Sequence, residues 1–221
     1  MKTKLINSNL HQRTILSVDV SYVNHHEISD VMGTIIINVA IPVDNNYVSN
    51  IIHMEKYEKL TADKLALLIR KLYDIYECTD LAINTDGAGL LIYDKLIQNI
   101  AGTDTDELYP AISCCNNEVM AGRCKVDNAP KVIWAININA FLNNEMYFLV
   151  RNGFQNDKIN LYVSEVESEE FFREIASFEY EVKDSMVKLV NKIPTDYLSR
   201  YFSLAYNYWI QCQIEKEIKM H

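Results

Sequence analysis

Asp19 and Asp86 are the residues of this chain whose type and placement suggest chemistry. Asp19 lies in TILSVDVSYV (14–23) and Asp86 in LAINTDGAGLLIYDKL (81–96), so each apolar run delivers a carboxylate to its polar edge. A carboxylate at the mouth of a buried strand is costly unless it is paired, hydrogen-bonded or bound to a metal. Two carboxylates arriving from separate strands point to a divalent-metal site. Hard cations such as Mg²⁺ and Mn²⁺ prefer oxygen ligands, and two such ions roughly 4 Å apart activate water and stabilise a departing oxygen in phosphodiester hydrolysis. The expected chemistry is therefore nuclease or phosphoryl transfer.

The elements that must position these acids can be read from the pattern. Thr14–Val23 is a β-branched, apolar strand, Gly33–Val43 a second and Tyr47–Tyr57 a third, with DNN as the turn between the last two. Short connections suggest an antiparallel meander. Leu65, Leu68, Ile69, Leu72 and Ile75 recur at helical spacing, which predicts a helix over Thr61–Glu77 with Thr61 as its N-cap. Leu81–Asn84 then reads as a strand and Leu90–Ile100 as a helix, a right-handed crossover unit. Ala101–Pro130 is polar, irregular and cysteine-bearing, and reads as a long loop. Lys131–Ala135 is a strand, Ile138–Asn152 a helix, Lys158–Val163 an extended piece and Ser168–Ile175 the start of a helix. Phe178–Val190 suits a β-hairpin or further helix. Pro194 opens a final helix to about Ile218, since proline is favoured in a first turn. Its Tyr197, Tyr201, Leu204, Ala205, Tyr208 and Trp209 share a face that reads as core.

The bulk composition narrows the class. The chain has 221 residues, 49% of them hydrophobic, which suits one α/β domain over 14–221 after a leader or linker at 1–13. A net charge of −9 argues against broad nonspecific DNA affinity from the whole surface, while leaving room for a local basic groove. The five cysteines are odd in number and include the adjacent pair Cys114 and Cys115, and no secretory signal precedes them. They read as reduced thiols of a cytoplasmic protein. Zinc on Cys114, Cys115 and Cys124 is the weaker reading, because adjacent cysteines suit tetrahedral ligation poorly. No apolar run approaches the ~18 residues of a membrane span. There is also no Walker A motif, so a P-loop ATPase is not expected.

Taken in order, the motifs resemble the C-terminal nuclease domain of phage large terminase subunits. SVDVS resembles that family's first strand with its metal-binding Asp, and MGTIIINVAIP resembles its second strand. NTDGAGLLIYDKL resembles a motif of the form Asp-Thr-x-Gly-x-Gly followed by Tyr-Asp-x-Leu. SRYFSLAYNYW resembles Lys-Asp-Arg-Tyr-Ser-Ser-Leu-x-Tyr-Gly-Asn-Tyr. The resemblance implies a ribonuclease H-like α/β fold, a mixed central sheet flanked by helices with a long C-terminal helix. It also implies a metal-dependent endonuclease that cuts concatemeric double-stranded viral DNA during packaging in the host cytoplasm. The partners would be the terminase ATPase domain, the small terminase subunit and the portal, with no membrane. The site residues would be Asp19, Asp86 and Asp196, holding two Mg²⁺ or Mn²⁺ ions.

Two positions depart from the family pattern. Asn84 stands where the second motif has Asp, and the acid here is Asp86, two residues on and on the same face if the strand continues. Ser199 stands where the last motif has Asp, and Asp196 lies three residues earlier, one helical turn away. The alternatives are another ribonuclease H-like nuclease of resolvase or integrase type, or a catalytically degenerate DNA-binding domain. Asp184 is the spare third acid. His25 and His26 read as solvated loop residues, and Asp94 as structural. Gly87-x-Gly89 is a candidate phosphate cradle. Backbone contacts to DNA are expected chiefly from Lys125, Lys131 and Arg200, with Arg151, Lys158, Lys188 and Lys192 as further candidates. Binding should be weak, sequence-independent and salt-sensitive.

Overall fold

The computed structural model describes residues 11–24, 27–44, 46–102, 107–183, 186–191 and 198–220. Three long strands open the fold: β1 (Arg13–Asn24), β2 (Glu27–Val43) and β3 (Asn46–Thr61), paired antiparallel as a meander. A helix, α1 (Ala62–Ile75), follows, with the Thr61 hydroxyl accepting from the Lys64 N–H at its start. Next come β4 (Asp80–Asn84) and α2 (Ala88–Leu96), and β4 lies parallel to β1.

The stretch expected to be a loop is partly structured. It holds a small ribbon of β5 (Ile100–Ala101) and β6 (Leu108–Tyr109), the strand β7 (Ser113–Cys114) and a short helix, α3 (Glu118–Ala121). β7 is too short for a periodic signal, yet it caps one edge of the main sheet by pairing with β8 (Lys131–Ile136). The chain then runs through α4 (Ala140–Gln155), β9 (Ile159–Leu161) and α5 (Glu165–Ala176). Phe178–Val190 resolves as a hairpin of β10 (Phe178–Lys183) and β11 (Met186–Asn191), and the last element is α6 (Ser199–Met220). The final helix therefore begins at Ser199, and Pro194 lies outside the described residues.

The main sheet has seven strands in the order β7-β8-β4-β1-β2-β3-β9. β4, β8 and β7 run parallel to β1 on one side, and β2 and β3 form the antiparallel half on the other. The alternation of β1 sorts its residues between two cores. Leu16, Val18 and Val20 pack under α1 and α2 with Ile35, Ile37, Leu81, Ile83 and Ile133. Ile15, Ser17 and Asp19 face the other side, where α4, α5 and α6 cover Ile36, Ala82 and Ile136. Tyr201, Leu204, Ala205 and Tyr208 enter that second core, as the stripe on the last helix predicted. At the Arg13 end of β1, the buried Asp80 carboxylate binds Arg13 at 2.8 Å and accepts from the Trp134 indole at 3.0 Å. It thereby fastens β1, β4 and β8 together. No helix among the described residues is long and apolar enough to cross a membrane.

Helix α6 crosses the strands on a polar seam rather than an apolar one. Ser199, Ser203, Asn207 and Gln211 repeat every four residues, one helical turn apart, and all are buried. The Asn207 amide donates to the Ile15 carbonyl at 2.8 Å, and its oxygen accepts from Asn38 at 2.9 Å. Gln211 accepts from Ser49 at 2.6 Å and from Asn38 at 3.2 Å. Ser203 donates to the Ser17 carbonyl at 3.1 Å. A seam of this kind permits one register only, because sliding the helix by a turn leaves several buried groups without partners. Replacing Asn207 with Ala removes its bonds to the Asn38 amide and the Ile15 carbonyl, and should cost about 1–3 kcal/mol of stability. Urea unfolding checks this; an unchanged midpoint would show that the seam contributes nothing.

Candidate active site

The central strand sets the position of Asp19. Its Cα partner on β2 is Thr34, and Val18 pairs with Ile83 on β4. Asp19 thus stands where β4 is about to end, on the face covered by α6. It is 8% exposed, and its Oδ1 accepts from the Tyr206 hydroxyl at 2.9 Å. Burial holds the Tyr206 phenol well above its ordinary pKa, and the charges of Asp19 and then Asp86 push in the same direction. Tyr206 therefore remains a neutral donor. The β1–β4 register, with Val18 opposite Ile83 and the Asn84 side chain on Val20, puts Asp86 just beyond the β4 end that lies level with Asp19.

Asp86 lies just past the end of its strand. β4 stops at Asn84, so the strand does not continue far enough to carry Asp86 on its face. The residue sits in the exposed bend before α2, and its Oδ1 accepts from the Asn137 amide at 3.3 Å. Asn137 follows β8, so the ends of two parallel strands meet here. Asn84, at the position where the resembling motif has Asp, has a different task. Its Oδ1 accepts from the Val20 N–H at 3.3 Å and its amide reaches the Val20 carbonyl at 3.5 Å. It extends the β1–β4 ladder beyond the last backbone pair. Gly89 is required by the same turn, since a Cβ there would come within 2.1 Å of the Asn84 carbonyl oxygen. Gly87, at φ +54°, caps α2 in a backbone conformation that glycine adopts without strain. The two glycines thus serve the tight strand-to-helix turn.

Ser199 also has a structural bond: it accepts from Thr34 at 2.7 Å, beside Asp19 in the register. Asp196, Asp184, His25 and His26 lie outside the described residues. Among the described residues, no group of three or more His, Cys, Asp or Glu side chains converges. The cysteines are dispersed in use: Cys114 contacts Asn116, Cys115 the Ile133 carbonyl and Cys124 the Ile97 carbonyl.

The expected DNA contacts do not gather at this end. Lys131 opens β8, and Ile136, five residues on, pairs with Asn84. At about 3.3 Å per residue, Lys131 stands about 16 Å from the Asp19 end of the sheet. Lys125 donates to the Gly122 carbonyl next to Cys124, which contacts the C-terminal end of α2, also remote from Asp86. Arg200 is engaged within the protein, bound to Glu167 at 2.6 Å and Glu174 at 3.3 Å. Glu174 also accepts from the Tyr201 N–H at 2.8 Å, so this pair fastens the start of α6 to α5. Sequence reasoning read Arg200 as a basic side chain awaiting an anion and did not see the two acids one helix away.

The donor set at the Asp19 end suits a hard divalent cation. It consists of oxygens, a buried carboxylate and an exposed one, and a cation would offset the cost of placing them together. Tyr206, Thr34 and Asn137 are the supporting residues that sequence reasoning missed. The detectable signal was the four-residue polar repeat on the last helix, which marks a face packed against polar groups.

No family model and no curated protein sequence matches the chain. Solved structures do match. A mutant nuclease domain of the large terminase subunit of bacterial virus Sf6, with manganese and beta-thujaplicinol, gives a TM-score of 0.53 at 8% identity, covering 88% of this chain and 87% of that one. A second structure of the Sf6 nuclease domain gives 0.50 at 8% identity, with 88% and 87% covered.

Burial pushes Glu174 up to about 7 despite Arg200 and the Tyr201 N–H, from an ordinary value of 4.5. Its contribution to stability is fully present below about pH 4.5 and is lost as pH rises through about 7. Glu174→Gln should therefore flatten the fall in melting temperature between pH 5 and pH 8, measured by circular dichroism; an unaltered slope would exclude Glu174 as its source. At these sequence identities the likeness is one of architecture: the chain has the ribonuclease H-like fold of the large terminase nuclease domain.

Proposed function

We propose that this chain is a metal-dependent endonuclease that cuts double-stranded DNA without sequence preference. We further propose that it works as the nuclease domain of a phage large terminase subunit. One observation carries the reading. In a fold shared with a terminase nuclease structure containing manganese, Asp19 lies on the central strand level with the end of the adjacent parallel strand, and Asp86 follows that end. Ligands and reacting groups gather at the C-terminal ends of parallel strands because the strand-to-helix turns open there.

Asp19 and Asp86 would hold Mg²⁺ or Mn²⁺, with Asp196 as the third ligand. When bound, the cations would activate water and stabilise the departing 3′ oxygen. The protein's own residues do the rest. Tyr206 holds one oxygen of Asp19, and Asn137 orients Asp86 across the gap between β4 and β8. Asn84 keeps the end of β4 against β1. The Arg200 pairs and the polar seam keep α6 in the register that brings Tyr206 to Asp19. In the parent assembly the partners would be the packaging ATPase domain, the small terminase subunit and the portal. The reaction would cut concatemeric DNA at the start and end of head filling, in the host cytoplasm.

A second reading rests on Asn84 and Ser199. Both are neutral, and both are tied into structural bonds where the resembling motifs carry acids. On that reading the domain keeps the fold and binds DNA without cutting it. The test is incubation with supercoiled plasmid in Mn²⁺, Mg²⁺ or EDTA beside Asp19→Ala. The proposed function predicts cation-dependent nicking and linearisation, reduced in Asp19→Ala to the EDTA level with folding retained. Full activity in Asp19→Ala removes the assigned site, and the absence of cleavage with either cation favours the second reading.

A further inference from the structure

We infer that Tyr206 is a positioning residue for the metal site, acting through Asp19; this rests on the metal-site reading above. Three observations carry it. The Tyr206 side chain is fully buried, and its hydroxyl donates to Asp19 Oδ1 at 2.9 Å. The residue comes from α6, 187 positions away in sequence, so the contact exists only because that helix is docked in one register. The polar seam supplies that register independently: Ser203 on Ser17 and Asn207 on the Ile15 carbonyl grip β1 on the same face as Asp19.

A carboxylate with two oxygens and free rotation about χ2 is a poor ligand until one oxygen is held. A fixed phenol hydroxyl selects one rotamer and leaves the carboxylate plane oriented before a cation arrives. The cation then loses less in ordering its ligand. A tyrosine placed only to satisfy its own hydroxyl would have a similar environment but no bearing on cation affinity. The two roles therefore separate by experiment.

The test is Mn²⁺ titration by calorimetry on the whole chain without DNA, comparing wild type, Tyr206→Phe, Ser203→Ala and Asp19→Asn. Tyr206→Phe keeps the ring and its volume, and circular dichroism confirms the fold of each variant. Ser203→Ala removes a neighbouring α6–β1 hydrogen bond without touching Asp19, and so reports what a loosened seam alone does. The expected result is Mn²⁺ affinity roughly 10- to 100-fold weaker in Tyr206→Phe, the range for residues that orient a metal ligand. Ser203→Ala should match wild type, and Asp19→Asn should lose binding. In cleavage, Tyr206→Phe should need more Mn²⁺ for half-maximal rate while the KM for DNA stays unchanged. Equal Mn²⁺ affinity in Tyr206→Phe and wild type overturns the inference and leaves the metal reading standing. Equal weakening in Ser203→Ala and Tyr206→Phe also overturns it, assigning the effect to seam stability. Wild-type protein that binds no Mn²⁺ overturns the metal reading and this inference together.

Discussion

The structure depends on one constraint: a carboxylate must be buried on the central strand, and something polar must be there to receive it. Asp19 satisfies this by accepting from Tyr206, and Tyr206 can reach it only from a helix docked at a fixed height. Apolar contacts alone would leave that height loosely set, because hydrophobic burial is non-directional. The seam of Ser199, Ser203, Asn207 and Gln211 against Thr34, Ser17, Asn38 and Ser49 sets it by hydrogen bonding. The apolar residues of α6 supply the burial that drives docking, and the polar ones choose among the possible dockings.

Sheet topology adds the second carboxylate. Because β4 is parallel to β1 and stops level with Asp19, the turn after β4 brings Asp86 to that end of the sheet. β8, parallel to β4, contributes Asn137 to the same edge. The far edge has an opposite character: Arg13, Asp80 and Trp134 form a closed, internally compensated cluster. One end of the sheet is therefore fastened, and the other carries carboxylates suited to a cation. This division of labour between rigid frame and open end is common where strands run parallel.

Much of this was legible in the sequence. The β-branched runs around Asp19 and Ile36 announced the meander, and the Leu65–Leu72 periodicity announced α1. What escaped has physical reasons. β7 is two residues long, and its strand character comes from pairing with β8 rather than from propensity. The final helix was expected to open at Pro194, but its first described turn starts at Ser199, where Glu174 of α5 accepts from the Tyr201 N–H. Arg200 read as a DNA contact because its partners, Glu167 and Glu174, are some thirty residues distant in sequence. Asp19 could be named because an acid in a buried strand is anomalous locally. Tyr206 could not, because a tyrosine in a buried helix is ordinary until its hydroxyl is seen against Asp19.

The most direct test of the account is a crystal structure of the chain soaked in Mn²⁺, with anomalous scattering recorded at the manganese edge. The account predicts an anomalous peak coordinated by Asp19 and Asp86, with the Tyr206 hydroxyl still on Asp19. A peak at another cluster of acids, or full Mn²⁺ soaking with no peak at Asp19, would contradict it.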